Sequence, residues 1–169
     1  DSTSPLRRAF KDERNNYYAA NRTYSAIRVP QVDGNAKLMS AIRAGKVRQE
    51  EARRLEDACM NSLVKYDQGE EILETVLGYL REYEVLNGGK RDRTEIYREA
   101  LVDKPWKQCC CDVCKRLGIH VMIFRGAERN RRRGFHNLYV FAEQLRADVE
   151  ALAQRTENTA AKTVQHQRL

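Results

Sequence analysis

The sequence has no long apolar run and no segment that resembles a signal peptide. No stretch approaches the roughly 20 consecutive apolar residues of a membrane-spanning helix, so we expect no membrane association. The beginning has no basic segment followed by apolar and then small residues, so export is not indicated. The chain opens at Asp1 without an initiator Met, and we therefore expect a fragment or a processed chain.

Cysteine is scarce and unevenly placed. Four of the five cysteines lie within residues 109–114, whereas a disulfide framework would spread them along the chain. In a reducing cytoplasm such a cluster is more often a metal site, which predicts a cytoplasmic protein. Cys59 stands alone in a helical pattern and is interpreted as a small buried apolar residue.

The positive charge is local. The 169 residues carry a net charge of +7, but residues 1–100 hold 18 Lys and Arg against 17 Asp and Glu, a difference of +1. Residues 104–136 hold 9 against 2, a difference of +7. A local excess of this kind indicates a polyanionic partner better than a uniformly basic composition would.

Apolar periodicity predicts a mostly helical chain. We expect a loop over 1–30, a short helix over 36–44, and two helices between 47 and 86 that form an antiparallel hairpin. A further helix should cover 94–101, with Thr94 as its N-cap. The run "GIHVMIFR" predicts a buried strand, "GAERNRRRG" a charged connection, and the final helix should begin near Asn137.

The cysteine spacing is that of a metal knuckle. Cys111 and Cys114 are separated by two residues, so their thiolates can face one ion from a tight turn. A third thiolate could come from Cys109 or Cys110. Adjacent side chains diverge, so the geometry favours Cys109, although not by a wide margin.

A tetrahedral zinc site also needs a fourth ligand, which His120 or His136 could supply. His120 lies inside the predicted strand, whereas His136 lies at the entry of the last helix. With four protein ligands no coordination position stays open, so the zinc would be structural.

Five arginines lie close together after the cysteines. Arg guanidinium groups bind phosphate through paired hydrogen bonds, so the cluster indicates contacts with a nucleic-acid backbone. Flanking glycines, Gly126 and Gly134, permit close approach to that backbone; the alternative is a solvated charged loop. The five are Arg125, Arg129, Arg131, Arg132 and Arg133.

Two motifs together resemble a known family. C-x-C-x2-C followed at a distance by His-Asn-Leu is similar to the zinc subdomain of the tRNA-guanine transglycosylase superfamily, and the resemblance implies the ligands Cys109, Cys111, Cys114 and His136. The opening "DSTSPLR" is similar to the nucleophile motif Asp-x-x-x-Pro-x-Arg of this superfamily and implies that Asp1 is catalytic.

The stretch "IFRGAERNRRRGFHN" looks most like the DNA-directed branch, the 7-deazaguanine DNA transglycosylases. Nucleic-acid contacts are accordingly expected from Arg7 and Arg8 as well as from the arginine cluster. Cys110 is an extra thiol that departs from the pattern, and the helical hairpin is not implied by the motifs.

The resemblance implies an α/β fold. The chain would be the mostly α-helical, C-terminal portion of a (β/α)8 barrel with a zinc-binding subdomain. The expected divisions are the end of the barrel over 1–46, the helical hairpin region over 47–103, the zinc-binding subdomain and C-terminal helix over 104–153, and a polar tail over 154–169.

The implied function is exchange of guanine in DNA for a 7-deazaguanine of the preQ0 type, through a covalent intermediate on an Asp. The implied partners are DNA, the free base, and the upstream barrel in the same enzyme or a partner chain. Two alternatives are a transglycosylase acting on tRNA and a non-catalytic, zinc-stapled nucleic-acid-binding or accessory subunit.

Overall fold

The computed structural model describes residues 16–19, 22–89 and 91–166, with the side chains of 127–130 and 159–166 excepted. Within these ranges the chain is mostly α-helical, as the sequence predicts. Asp1, Arg7 and Arg8 lie outside the described residues. The roles expected for these three residues therefore stay predictions.

Two long helices form the framework. After the short helix α1 (Ala36–Arg43), α2 (Gln49–Gln68) and α3 (Leu73–Leu86) pack along each other, joined by a turn at Gly69, which has a φ of 85°. The apolar stripes of α2 and α3 are buried in their contact, with Cys59 fully buried as expected. Both predicted helices are confirmed.

Short strands lie against this framework. The antiparallel pair of β1 (Tyr17–Tyr18) and β2 (Thr23–Tyr24) is followed by β3 (Ile27–Arg28), which pairs in parallel with β4 (Ile123–Phe124). The expectation of a loop over 1–30 is therefore wrong for the three strands Tyr17–Tyr18, Thr23–Tyr24 and Ile27–Arg28. Two-residue ladders are too short for hydrophobic alternation to reveal them.

The second half is a series of helices. It contains α4 (Thr94–Asp103), α5 (Pro105–Gln108), α6 (Asp112–Leu117), a 3-10 helix (Gly118–Val121), β4, and α7 (Ala127–His166). The backbone N–H of Thr94 donates to the side chain of Asp92 at 2.8 Å, so the acceptor at this helix start is Asp92 and not Thr94.

The predicted strand over 118–125 is mostly wrong. Gly118 adopts a φ of 53°, and the carboxylate of Asp67 accepts the N–H of Ile119 at 2.9 Å, which stabilises a 3-10 turn before β4. Ile119, Val121 and Met122 are nevertheless buried. The apolar run indicated burial correctly, but burial alone does not distinguish a strand from a helix.

The final helix begins earlier than expected. It includes the arginine-rich segment, where the sequence predicts a charged connection, and extends ten residues further back than Asn137. Arginine has a high helix propensity, which favours this extension. Towards its end Leu145, Val149 and Leu152 are exposed.

One hydrophobic core connects the helical hairpin with the segments that follow it. One cluster of buried side chains runs from Tyr17 on β1 through Leu63 on α2 and Leu101 on α4 to Ile123 on β4. The cysteine-containing turn joins this cluster through Cys111 and Cys114. The same core therefore supports both the helical hairpin and the cysteine site.

Candidate metal centre

The turn between α5 and α6 positions the three inner thiols. Cys109 ends α5, and Cys111 precedes α6 with its Sγ accepting the backbone N–H of Cys114 at 3.4 Å. Cys111 and Cys114 are 5% and 2% exposed, and Cys109 is half-buried. The spacing C-x2-C thus becomes a helical cap that directs both thiols to the same side.

His136 on α7 completes the group. Its Nδ1 lies 3.5 Å from the Sγ of Cys109, 3.5 Å from that of Cys111 and 3.3 Å from that of Cys114. All four ligand atoms lie within 4.8 Å of one another. Tetrahedral zinc with bonds of 2.0–2.3 Å would separate a sulfur from a nitrogen by about 3.6 Å, so the donor set fits such an ion.

The open alternatives for the ligands are resolved by position. Cys110 is exposed, and its Sγ contacts the hydroxyl of Tyr139 at 3.1 Å instead of facing His136. His120 is not among the clustered ligands found in the described part of the chain. Cys109 and His136 therefore lie with Cys111 and Cys114 in the set that the family resemblance implies, and their role as zinc ligands stays a prediction.

A backbone carbonyl orients the His136 ring. The Nε2 lies 2.7 Å from the carbonyl oxygen of Tyr18, which can only accept, so Nε2 carries the proton. Nδ1 is then the unprotonated nitrogen and its lone pair faces the sulfurs. Burial lowers the pKa of His136 to about 4, so the ring is neutral near pH 7 and able to bind a metal.

Tyr17 covers the other side of the same ring. The two rings stack with centroids 3.8 Å apart and an interplanar angle of 12°. The Tyr17 hydroxyl lies 3.2 Å from the Sγ of Cys114 and donates to the carbonyl of Pro105 at 3.3 Å. Burial raises the pKa of Tyr17, which keeps the phenol protonated and able to donate.

Burial disfavours the ionised forms of two of the thiols. Burial raises the pKa of Cys114 and of Cys109, since a thiolate in an apolar surrounding is poorly solvated. A bound divalent metal reverses this preference, because a coordinating thiol is deprotonated. The arrangement is suited to bind a metal ion.

Some side chains of the arginine cluster are exposed and others are buried. Arg131 and Arg132 are exposed on α7, in agreement with a role at the surface. Arg133 is 1% exposed and donates to the carbonyl of Val121 at 3.3 Å, whereas Arg125 forms a buried ion pair with Glu56.

Burial therefore corrects the expectation for Arg125 and Arg133. A phosphate in solution cannot reach either guanidinium group in this fold. The side chain of Arg129 lies outside the described residues, and its role stays a prediction.

Residues around the ligands were missed from the sequence. Tyr17 and Tyr18 contact His136, and Asn137 binds the backbone of Tyr18, yet β1 is distant in sequence and has no motif. The adjacency of Asn137 to a ligand histidine was the one available signal. Polar groups that hydrogen-bond around a metal ligand fix its orientation, so a polar residue beside a ligand is a candidate for that role.

The sequence is similar to that of a known protein. Over 149 residues, or 86% of its length, the chain is 46% identical to a curated protein named DNA-guanine transglycosylase from Salmonella montevideo. This identity supports the transglycosylase family that the two motifs resemble. The match spans 36% of the length of that relative.

Two further comparisons bear on classification. No protein-family model matches the sequence. Within the described residues, no helix is both long enough and apolar enough to span a membrane.

Proposed function

We propose that this chain is part of an enzyme that exchanges guanine in DNA for another base. The identity to a protein named DNA-guanine transglycosylase is the observation that carries the proposal. The name of that relative favours DNA over tRNA as the nucleic acid. Replacement by a 7-deazaguanine rests on the motif resemblance, as does assignment to the DNA-directed branch.

The metal in this proposal is zinc with a structural role. Cys109, Cys111, Cys114 and His136 would hold it, and three sulfurs with one imidazole are a common ligand set for structural zinc. When bound, the ion cross-links the α5–α6 turn to α7 and supplies no open position for substrate.

The catalytic residue in this proposal is Asp1. Its carboxylate attacks the sugar C1′, the bond from C1′ to the guanine nitrogen breaks, and guanine leaves with the bonding electron pair and takes up a proton. The incoming base then gives up a proton, attacks the same carbon and releases the carboxylate, so two inversions give net retention. A duplex target would have to be flipped out of the stack.

The remaining parts of the proposal concern binding and organisation. The exposure of Arg131 and Arg132 supports a role for both in binding the phosphate backbone, with Arg7, Arg8 and Arg129 as further candidates. We assign 1–46 to the end of a catalytic barrel, 47–103 to a helical hairpin region, 104–153 to a zinc-binding subdomain and 154–169 to a tail.

An exchange assay on the intact protein tests this function. Labelled guanine or a 7-deazaguanine is offered with duplex DNA or with tRNA, using the wild type, Asp1→Ala and the neighbouring control Asp12→Ala. We expect incorporation into DNA by the wild type and by Asp12→Ala but none by Asp1→Ala, with nucleic-acid binding retained in all three.

The possible results separate the alternatives. Incorporation into tRNA alone would assign the substrate to RNA. Exchange by Asp1→Ala at the wild-type rate would remove Asp1 as nucleophile. Zinc-dependent binding of nucleic acid without any exchange would favour a non-catalytic binding or accessory subunit.

A further inference from the structure

We propose that Tyr17 and Asn137 are positioning residues of the metal centre, and that metal binding and the docking of β1 are coupled. The coupling rests on the metal site of the proposed function but not on base exchange. In this arrangement β1 forms an outer layer around the ligands, and the ion and the strand stabilise each other.

Side chains of α7 bind one edge of β1 as a neighbouring strand would. The Asn137 Oδ1 accepts the N–H of Tyr18 at 2.9 Å, and its Nδ2 donates to the carbonyl of Asn16 at 2.8 Å. The adjacent His136 donates from Nε2 to the carbonyl of Tyr18 at 2.7 Å. Two consecutive residues, one of which is a ligand, thus make two hydrogen bonds to the backbone of β1 and one to the residue before it.

The side chain of Tyr17 adds a second connection. It stacks on the His136 ring and places its hydroxyl 3.2 Å from the Sγ of Cys114. When Cys114 is a thiolate, the hydroxyl turns its single proton from the Pro105 carbonyl, at 3.3 Å, to the ligand sulfur. β1 therefore contacts two of the four ligands, one through its backbone and one through a side chain.

The strand depends on these contacts because its own ladder is short. β1 pairs with β2 over two residues, Tyr17 opposite Tyr24 and Tyr18 opposite Thr23. An isolated two-stranded pair is marginally stable in water even when it is longer. Asn137 is 2% exposed, so its amide needs the β1 backbone as much as β1 needs the amide.

Thermodynamic linkage gives the size of the effect. Residues that orient metal ligands change metal affinity by about 10- to 100-fold when they are removed. By reciprocity, the ion strengthens the docking of β1 by the same factor. Neither effect requires any change in the four ligands themselves.

Metal affinity in variants is the first test. We expect zinc affinity, measured by competition with a chromophoric chelator, to fall by at least about 10-fold in Asn137→Ala and in Tyr17→Phe. The matched control is Tyr66→Phe, because Tyr66 is also buried and its hydroxyl donates to a backbone carbonyl, that of Leu101, at 3.0 Å. The control should keep its zinc affinity within about twofold.

Hydrogen exchange of the unmutated protein is the second test and needs no variant to fold. Removal of zinc by the chelator should accelerate exchange of the Tyr18 amide much more than that of the Leu63 amide in α2. Equal acceleration of both amides would overturn the coupling, because the ion would then support the whole fold. Unchanged exchange at Tyr18, or unchanged zinc affinity in both variants, would also overturn it.

These measurements are independent of catalysis. If zinc affinity and hydrogen exchange in β1 behave as described but no base is exchanged, the coupling stands and the proposed function fails. If the enzyme exchanges bases while hydrogen exchange in β1 is insensitive to zinc, the proposed function stands and the coupling fails.

Discussion

Replacing Arg125 by Met should destabilise the chain without changing how it binds nucleic acid. Arg125 follows β4 and pairs with Glu56 on α2, and the two side chains are only 9% and 11% exposed. The Glu56 carboxylate also accepts the N–H of Val32 at 2.9 Å. Met retains the aliphatic packing, so the main change is an unpaired buried carboxylate.

The expected loss follows from this geometry. Breaking a buried ion pair by removal of one partner costs about 3–5 kcal/mol. In the described part of the chain, the Nε and Nη1 atoms of Arg125 are buried without a hydrogen-bond partner, so the pair is not fully compensated. We therefore expect about 3 kcal/mol, at the lower end of that range.

A double variant distinguishes charge from packing. Glu56→Gln removes the unpaired charge but keeps an acceptor for the Val32 N–H. Arg125→Met with Glu56→Gln should therefore recover more than half of the lost stability. The free energies of unfolding are measured by urea titration of the zinc-loaded protein, with Arg132→Met as the exposed control.

Two results would refute this reasoning. Destabilisation by Arg125→Met of less than about 1 kcal/mol would mean that the carboxylate is solvated or paired elsewhere. A decrease of about 0.9 in the slope of log affinity against log salt would place Arg125 at a phosphate after all.

Three further outcomes are expected. His136→Ala should lose zinc and melt at a lower temperature, whereas Cys110→Ala should keep full metal content by atomic absorption; zinc retained in the first variant contradicts the ligand set. Arg131→Met with Arg132→Met should reduce the salt slope of DNA binding by about 1.8, and an unchanged slope would leave both as surface charges. Because the folded pKa of His136, about 4, lies below the unfolded value of about 6.5, the metal-free fold should lose about 3 kcal/mol as the pH falls from 6.5 to 4. Equal pH dependence of urea unfolding in His136→Asn would contradict that assignment.

Local patterns in the sequence predicted much of the helical framework. The apolar stripes of α2 and α3, the break at Gly69 and the burial of Cys59 could all be deduced from spacing and turn residues. These features depend on neighbours within one or two helical turns, so a single sequence carries them. The prediction for the start of α7 was wrong because it depends on contacts with distant residues. An arginine-rich segment is compatible with loop or helix until its buried members are known.

The residues of the candidate metal centre were partly predictable for a similar reason. Cys111 and Cys114 share a turn, so their spacing alone indicated a common ion. The choice of Cys109 over Cys110 and of His136 over His120 needed the family resemblance or the fold. Spacing cannot say which face of the turn a neighbouring thiol occupies.

The sequence by itself determined the residue types of the site, the thiol knuckle and the local excess of positive charge. Only the tertiary structure decided that Arg125 and Arg133 are internal while Arg131 and Arg132 face solvent. It also brought β1 to His136 across more than a hundred residues of chain. Ligand spacing is a property of the local backbone, whereas burial and outer hydrogen bonds depend on which distant elements pack together.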